Sequence, residues 1–234
     1  MQERAVLTRQ AVILGAAKSF EKFGYSASLG TILQHGGVSK GAMYFHFASK
    51  EELAHAVIAA QHGMAMEGTR RVAAHSDIAV ETLVLVSQEM ARQLVTEPIA
   101  RGGMRLTMEI GSIQGPIEQP YLDWIEAIKQ VATQAAEAGD IVPGTDIDAL
   151  ARFVVGSFTG VQILSEMLTG RTDLYERLSQ MWNLVLPTIV REDKLAHVMQ
   201  LAALAPREWE HRALDVEDAT RRTCSFPLMI GPQL

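Results

Sequence analysis

The 234-residue chain has little cysteine and few aromatic residues. Its single cysteine, Cys224, cannot form a disulfide within one chain, which suits a reducing cytoplasm, and we expect a cytoplasmic protein. Aromatic residues make up only 6% of the chain, although 48% of it is hydrophobic. We find no signal-peptide pattern and no apolar run long enough to span a bilayer, so we expect no membrane partner. An alternating strand pattern is also missing, and the whole chain is predicted to be α-helical.

Catalytic signatures are missing as well. The chain contains no HExxH, GxSxG, P-loop or GxGxxG sequence. His55 and His62 share one predicted helix, but two helical turns separate them by roughly 10 Å, which is too far for a shared metal ion. We therefore expect no enzyme activity, no metal site and no cofactor.

The most informative stretch is HGGVSKGAMYFHFASKEEL, residues 35–53. Ser28 and Ser39 each precede a short helical pattern as an N-cap, and two glycines supply the turn between these helices. Ser49 begins an S-x-x-E capping box that opens a third helix. Two short helices joined by a glycine-containing turn form a helix-turn-helix unit, whose second helix enters the major groove of DNA.

Helical spacing indicates which side chains of this unit face DNA. Lys40 and Tyr44 share one face of the second helix, whereas Met43 and Phe47 share the face that packs on the preceding helices. Ala42 is small enough to approach a thymine methyl group. The alternative is a helical hairpin whose Lys40 and Tyr44 face is only solvated. The positions predicted to contact DNA are Ser28, Thr31, Ser39, Lys40, Gly41, Ala42, Tyr44, His46 and Lys50.

Charge is distributed unevenly along the chain. Residues 1–50 contain six basic and two acidic residues, a balance of +4, whereas the whole chain carries −6. The remaining residues, 51–234, therefore carry −10. A basic head on an acidic body suits a protein that brings one face to the phosphates of double-stranded DNA.

A family resemblance covers about residues 6–60. The segments TRQAVILGAAKSFEKFGYSAS and TILQHGGVSKGAMYFHFASKEELAHAV resemble the N-terminal domain of TetR-type transcriptional regulators. Leu29-Gly30 departs from the pattern, since such proteins more often have a polar and a β-branched residue there. We expect a TetR-like all-α fold, with a helix-turn-helix domain over 1–50, a ligand-binding and dimerisation domain over 51–205 and a tail over 206–234. The first helix should present a buried stripe of Ile13, Ala16, Ala17, Phe20 and Phe23.

Helical patterns continue beyond the first domain. They cover residues 50–74, 77–95, 101–110, 120–138, 146–169, 174–189 and 192–204. Helix 146–169 is apolar around most of its circumference and must be buried on more than one side. With helix 174–189 it would form the four-helix interface of a homodimer, as the TetR resemblance implies, or it is buried within its own subunit. A two-fold dimer also suits a pseudo-palindromic operator.

A second resemblance lies in the body of the chain. RGGMRLTMEIGS (101–112) and YLDWIEAIKQV (121–131) resemble the regulatory domain of the γ-butyrolactone autoregulator receptors, a TetR subfamily of antibiotic-producing actinomycetes. In that subfamily the tryptophan of the second segment lies in the ligand pocket, and here it corresponds to Trp124. Without the resemblance, Trp124 would be an ordinary core residue on an apolar helix face. The resemblance implies a small lactone, furan or butenolide ligand with an alkyl tail, and a role in the control of secondary metabolism.

Helical phase extends this predicted pocket. Trp124 offers packing and an N–H group, while Thr159 or Gln162 could reach the ligand ring or instead form hydrogen bonds at the dimer seam. The other predicted pocket residues are Met90, Met104, Ile128, Val131, Val155 and Phe158. We thus predict a homodimeric repressor that a small hydrophobic ligand releases from its operator. The alternatives are a repressor that senses an antibiotic or a biosynthetic intermediate, and a constitutive DNA-binding dimer.

Overall fold

The computed structural model describes residues 2–75, 78–114 and 118–204. Within these ranges the chain forms ten α-helices, a 3-10 helix over Gly24–Ser26, and a single antiparallel bridge between Ile141 and Val190 in place of any strand. The predicted all-α fold is confirmed. The helices are α1 (Gln2–Phe23), α2 (Leu29–Gly36), α3 (Lys40–His46), α4 (Lys50–His75), α5 (Ala79–Thr96), α6 (Pro98–Gln114), α7 (Gln119–Glu137), α8 (Ile147–Thr169), α9 (Leu174–Ile189) and α10 (Glu192–Ala203).

The sixth helix begins earlier than the sequence pattern predicted. The pattern placed its start at residue 101, yet α6 begins at Pro98. Proline fits a first helical position because the N–H group that it lacks would have no partner there. One proline thus follows the end of α5, where Glu97 is the C-cap, and also opens α6. The predicted tail over 206–234 lies outside the described residues.

Buried apolar side chains form two clusters. The smaller cluster unites α1, α2 and α3 with the first half of α4, and Leu106 of α6 belongs to it. The larger cluster joins the second half of α4 with α5 to α10. Four residues of the predicted α1 stripe lie in the smaller cluster, but Phe23 is 41% exposed. It is the last residue of α1, where the chain leaves the helix through Gly24 in a left-handed conformation (φ 60°).

Two glycines let α6 pack closely on the N-terminal unit. A Cβ atom at Gly102 would lie 2.5 Å from the carbonyl oxygen of Ala17 in α1. A Cβ atom at Gly103 would lie 2.4 Å from Cβ of Gln61 in α4. Neither separation is sterically allowed, so only glycine permits this approach. Helix α6 is therefore held against both α1 and α4.

Helix α8 corrects the expectation that the chain lacks a run able to span a bilayer. Among the described residues it is the one helix that is long and apolar enough to do so, by length and composition alone. Only 28% of its apolar window is buried within the subunit. Phe153, Leu164 and Met167 are more than half exposed. The apolar circumference noted in the sequence is thus only partly covered by the chain's own helices.

Candidate functional site

Serine caps and a left-handed glycine build the turn between α2 and α3. Ser28 Oγ accepts a hydrogen bond from the backbone N–H of Thr31, and Ser39 Oγ accepts one from that of Ala42, both at 3.1 Å. Gly37 has φ 60° and ψ 28°, which ends α2 and turns the chain toward α3. The predicted caps and turn are confirmed.

A third cap fixes the junction between α3 and α4. Ser49 Oγ accepts from the backbone N–H of Glu52 at 3.0 Å. In return, the Glu52 carboxylate accepts from the backbone N–H of Ala48 at 2.6 Å. A regular capping box would use the N–H of Ser49 itself, so the reciprocal bond is displaced by one residue. Two side chain–backbone hydrogen bonds therefore still fix the start of α4.

Helix α3 exposes the face that spacing predicted. Met43 and Phe47 are buried in the smaller cluster, whereas Lys40, Gly41 and Tyr44 are exposed. Lys40 Nζ lies 5.9 Å from the centroid of the Tyr44 ring, so these two side chains do share one face. The helix therefore presents a cation and a phenol to solvent beside a backbone that glycine leaves uncovered.

Other predicted contact residues are less free. Ala42 and His46 are half-buried. Lys50 Nζ donates to the carbonyl oxygen of Ala27 at 3.1 Å and lies 4.5 Å from the centroid of the Tyr25 ring. An ammonium group has three donor hydrogens, so this bond leaves Lys50 with two for a phosphate.

Phe45 is the exposed residue of α3 that sequence reasoning missed. Its side chain is 79% exposed, next to Tyr44. The signal was available, because residue 45 lies off the face defined by Met43 and Phe47 in a 3.6-residue period. A phenylalanine at this place adds apolar surface of the kind that contacts thymine methyl groups.

A cavity lies in the body between α4, α5, α6, α7 and α8. It has about 530 Å³ of empty space, including its mouth toward solvent. Seven of the nine predicted pocket residues line it: Met90, Met104, Trp124, Ile128, Val155, Phe158 and Thr159. The sequence missed five further lining residues: Thr69, Val86, Ser87, Ala127 and Val154. Thr69, Val86 and Ser87 lie on α4 and α5, and only tertiary packing brings them to Trp124.

Two predicted pocket residues, Val131 and Gln162, do not line this cavity. Both are buried, and each lies one turn beyond a lining residue, Val131 after Ile128 and Gln162 after Thr159. Helical phase gives the correct face of a helix, but it does not indicate where along that face a cavity ends. Gln162 Nε2 is buried and lacks a hydrogen-bond partner within the described part of the chain.

The cavity wall is apolar apart from four side chains. The hydroxyl groups of Thr69, Ser87 and Thr159 each donate to a carbonyl oxygen one turn earlier in their own helix, at 2.7–3.0 Å. Trp124 Nε1 is buried, and no described residue accepts its hydrogen. Trp124 is thus the lining residue with an unused donor.

Two aromatic side chains lie beside the Trp124 ring. Tyr121 meets it edge-on with ring centroids 5.1 Å apart, and the His62 ring of α4 lies 6.2 Å away, centroid to centroid. His62 Nε2 forms a hydrogen bond of 2.9 Å with Asp123 Oδ2. Burial raises the pKa of Tyr121, and a hydrogen bond with Thr159 acts in the opposite direction.

Helix α6 connects the cavity to the N-terminal unit. Its Met104 lines the cavity. On the same helix, Arg101 Nε donates to Glu21 Oε1 of α1 at 2.6 Å. Glu109 Oε2 accepts from the backbone N–H of Tyr25, also at 2.6 Å. Met104 at the cavity wall therefore lies within two turns of the two α6 residues that bind α1 and the turn after it.

Buried charge elsewhere in the body is paired. Burial opposes the ionisation of Glu89, but hydrogen bonds from Arg92 and Gln93, together with the charges of Arg92 and Arg71, hold its pKa below the usual value. This cluster stabilises the packing of α4 on α5. Across the described ranges, no three His, Cys, Asp or Glu side chains come together as metal ligands.

The helix-turn-helix unit and the helical body together define a class of protein. Residues 12–57 match the family model for bacterial regulatory proteins of the tetR family, and residues 77–191 match the tetracyclin repressor-like C-terminal domain. The chain belongs to the TetR family of DNA-binding transcriptional regulators, which are not enzymes. The family predicted from the sequence and the expectation that the protein is not an enzyme are both confirmed.

Within this family the chain is similar to γ-butyrolactone receptors. It is 36% identical to the A-factor receptor protein of Streptomyces griseus over 201 residues, 84% of this chain and 69% of that protein. A crystal structure of an ArpA-like γ-butyrolactone receptor matches with a TM-score of 0.70 at 30% identity, covering 86% of this chain and 96% of that chain. The TetR-family protein CprB of Streptomyces coelicolor, solved with its biological operator sequence, matches with a TM-score of 0.75 at 32% identity, covering 86% and 97%.

Proposed function

We propose that the protein is a cytoplasmic, homodimeric repressor that a small lactone or butenolide releases from its operator, in the control of secondary metabolism. The observation that carries this proposal is the cavity beside Trp124. Its walls include α4 and α6, the two helices that hold the N-terminal unit. The similarity to γ-butyrolactone receptors supports the ligand class.

The DNA end of the mechanism rests on α3. Lys40 and Tyr44 share its exposed face and would bind in the major groove or at its rim, with Lys40 on a guanine edge or a phosphate. The positive balance of residues 1–50 attracts the duplex, while the acidic body is repelled from it. We likewise propose that the DNA-binding domain ends at residue 50 and that all the positions predicted from the sequence contact DNA.

The dimer would be built on α8 and α9. Leu184 of α9 is 79% exposed, and four large apolar residues of α8 are more than half exposed: Phe153, Leu164, Met167 and Leu168. Soluble proteins rarely leave such large side chains grouped on one surface without a partner. Pairing these helices across a two-fold axis covers them and sets a fixed distance between two copies of α3, which a pseudo-palindromic operator requires.

The ligand end rests on the lining of the cavity. Its apolar walls with few polar groups suit a small alkyl-bearing molecule. Met90 and Met104 can adapt to the shape of an alkyl tail. A bound ligand would favour one arrangement of α4 and α6. In that arrangement the two N-terminal units of the dimer would no longer match both half-sites of the operator.

A gel-shift assay with an operator selected from random duplex DNA tests the proposal. The full-length protein should bind one duplex per dimer or pair of dimers and release it when an alkyl γ-butyrolactone or butenolide is added. If a hydrophobic antibiotic releases the operator and lactones do not, the ligand class is an antibiotic and not a lactone or butenolide. Occupancy that no compound in either group changes would leave a constitutive DNA-binding dimer and reject the switch.

A further inference from the structure

Lys50 lies where the starts of two helices meet. It is the first residue of α4, and its Nζ donates to the carbonyl oxygen of Ala27 at 3.1 Å. Ala27 directly precedes Ser28, the N-cap of α2 and another of the predicted DNA contacts. The ammonium group of Lys50 is thus held at the α2 edge of the proposed DNA interface, with two donor hydrogens left for a phosphate.

The ring of Tyr25 holds the Lys50 side chain at this place. Lys50 Nζ lies 4.5 Å from the ring centroid, which is the shortest such distance among the cation–aromatic pairs of the described residues. An aromatic face attracts an ammonium group. A free lysine side chain loses much rotational freedom when it binds, and one that is ordered beforehand loses less. The contact with Tyr25 therefore favours binding of Lys50 to a phosphate.

Glu109 of α6 fixes the backbone that bears Tyr25. Its Oε2 accepts from the Tyr25 N–H at 2.6 Å. A Cβ atom added at Gly24, which has φ 60°, would overlap this carboxylate, so the carboxylate packs directly on the chain at the turn. Arg105 pairs with Glu109 at 2.7 Å and donates to the carbonyl oxygen of Glu21 at 3.0 Å. Two charged residues of α6 therefore hold the end of α1 and the turn that follows it.

We propose that Tyr25 is a positioning residue, which holds the Lys50 ammonium group for a phosphate of the operator, and that Glu109 makes this contact depend on the position of α6. The inference rests on the proposed function, since it assumes that Lys50 binds DNA. Helix α6 also bears Met104 at the cavity wall, five residues before Glu109. A displacement of α6 that reaches Glu109 would move Tyr25 away from Lys50 and weaken one phosphate contact in each subunit.

The alternative role of this pair is purely structural. Tyr25 packs against the smaller cluster, so its ring also contributes to the stability of the N-terminal unit. A positioning residue acts through Lys50 and loses its effect on DNA binding when Lys50 is replaced by a neutral residue. A residue that only stabilises the fold keeps its effect. A double-mutant cycle separates the two roles.

The cycle measures the operator affinity of the full-length protein by fluorescence anisotropy over a range of salt concentrations. Tyr25→Leu should weaken binding about 2- to 5-fold for each subunit on the duplex, the range expected for one cation–π contact. Lys50→Met should weaken binding and reduce the slope of log K against log salt by about one per subunit. In the Lys50→Met background, Tyr25→Leu should have no further effect on affinity.

A conservative variant and a second lysine–aromatic pair serve as controls. Tyr25→Phe keeps the aromatic face and should bind the operator like the wild type. Phe23→Leu removes the ring that lies 5.4 Å from Lys22 Nζ, and neither residue is among the predicted DNA contacts. This variant should leave the affinity unchanged. Thermal unfolding followed by circular dichroism checks that each variant is folded at the assay temperature.

Substitutions at Glu109 test the link to α6 without altering the Tyr25 ring. Glu109→Ala removes the acceptor of the Tyr25 N–H and should weaken operator binding, though by no more than Tyr25→Leu does. Glu109→Gln keeps an acceptor oxygen and should lose less affinity. Neither substitution should have an effect in the Lys50→Met background. These variants decide the proposal even if Tyr25→Leu does not fold.

The proposal is overturned if Lys50→Met leaves the affinity and the salt slope unchanged, or if Tyr25→Leu or Glu109→Ala weakens binding equally in both backgrounds. An unchanged affinity in Glu109→Ala would overturn the link to α6. Release of the operator by lactones is scored separately by gel shift. If no lactone releases the wild-type protein but the cycle is non-additive, the proposed signal class fails and the positioning role stands. If lactones release the operator and the effects are additive, the positioning role alone fails.

Discussion

Replacing Gly102 by alanine tests whether α6 holds the N-terminal unit in its DNA-binding position. The added Cβ atom would lie 2.5 Å from the carbonyl oxygen of Ala17 and 3.0 Å from its Cα atom. Both are backbone atoms of α1, so no side-chain rotation relieves the contact. Either α6 or α1 must move by roughly 0.5–1 Å to restore van der Waals distance, and this is the scale on which overpacked cores shift.

The expected change in stability has two opposing parts. Overpacking of this kind costs about 1–3 kcal/mol. The higher helix propensity of alanine returns about 1 kcal/mol. We therefore expect Gly102→Ala to lower the free energy of unfolding by up to about 2 kcal/mol, and to be about 1–3 kcal/mol less stable than a glycine-to-alanine change without the steric contact. Because α1 covers the helix-turn-helix unit, the same displacement should also weaken operator binding in the absence of ligand.

Urea denaturation followed by circular dichroism measures the stability, and a gel shift measures the operator affinity. Gly63→Ala is the matched control: Gly63 lies within α4, and apart from its own stretch of that helix no described residue comes within 4 Å of an added Cβ. It should be neutral or stabilising by up to about 1 kcal/mol. If Gly102→Ala unfolds at the same urea concentration as Gly63→Ala and binds the operator normally, the close contact between α6 and α1 does not restrain the N-terminal unit.

Four further predictions concern separate parts of the molecule. Trp124→Ala should keep operator binding and lose release by lactone in a gel shift; release at wild-type ligand concentrations would place the pocket elsewhere. Lys40→Ala should weaken operator binding and reduce the slope of log K against log salt by about one, and an unchanged slope removes Lys40 from the phosphate contacts. Leu184→Asp should give a folded monomer in light scattering, whereas a dimer would move the interface away from α9. Hydrogen bonds from two hydroxyl groups and Arg177 lower the pKa of Asp173 to about 2 from 3.8. That contribution to stability is present above the unfolded value and is lost as the pH falls toward 2, so thermal melts of Asp173→Asn should show a weaker pH dependence in this range.

Local features were predictable from the sequence because they depend on neighbours in the chain. The caps at Ser28, Ser39 and Ser49 and the buried face of α3 follow from short-range hydrogen bonding and a 3.6-residue period. The same reasoning found the correct faces of α7 and α8 around Trp124. Val131 and Gln162 share these faces but do not line the cavity, because a cavity ends where other helices close it, and the positions of those helices are not encoded in helical phase.

Tertiary contacts were beyond the reach of pattern reasoning. Glycines at 102 and 103 weaken a helix when seen alone, and only the structure shows that they face Ala17 and Gln61 at distances that exclude a Cβ atom. Likewise, the pairing of His62 with Asp123 joins residues 61 positions apart. In the sequence His62 was weighed as a metal ligand together with His55, although its partner lies on another helix.

The packing of α6 bears on how a ligand signal can reach DNA. The predicted domain boundary at residue 50 marks a change of charge and motif, but the smaller core cluster continues into α4 as far as Ile58 and includes Leu106 of α6. The N-terminal unit therefore shares its core with the helix that also carries Met104 at the cavity wall. Two turns or less of α6 separate Met104 from Arg101 and Glu109, which bind α1 and the turn after it. A shift of α6 large enough to matter at the cavity must consequently either carry α1 with it or break these bonds, and a movement of α1 would act on α3, which packs against it.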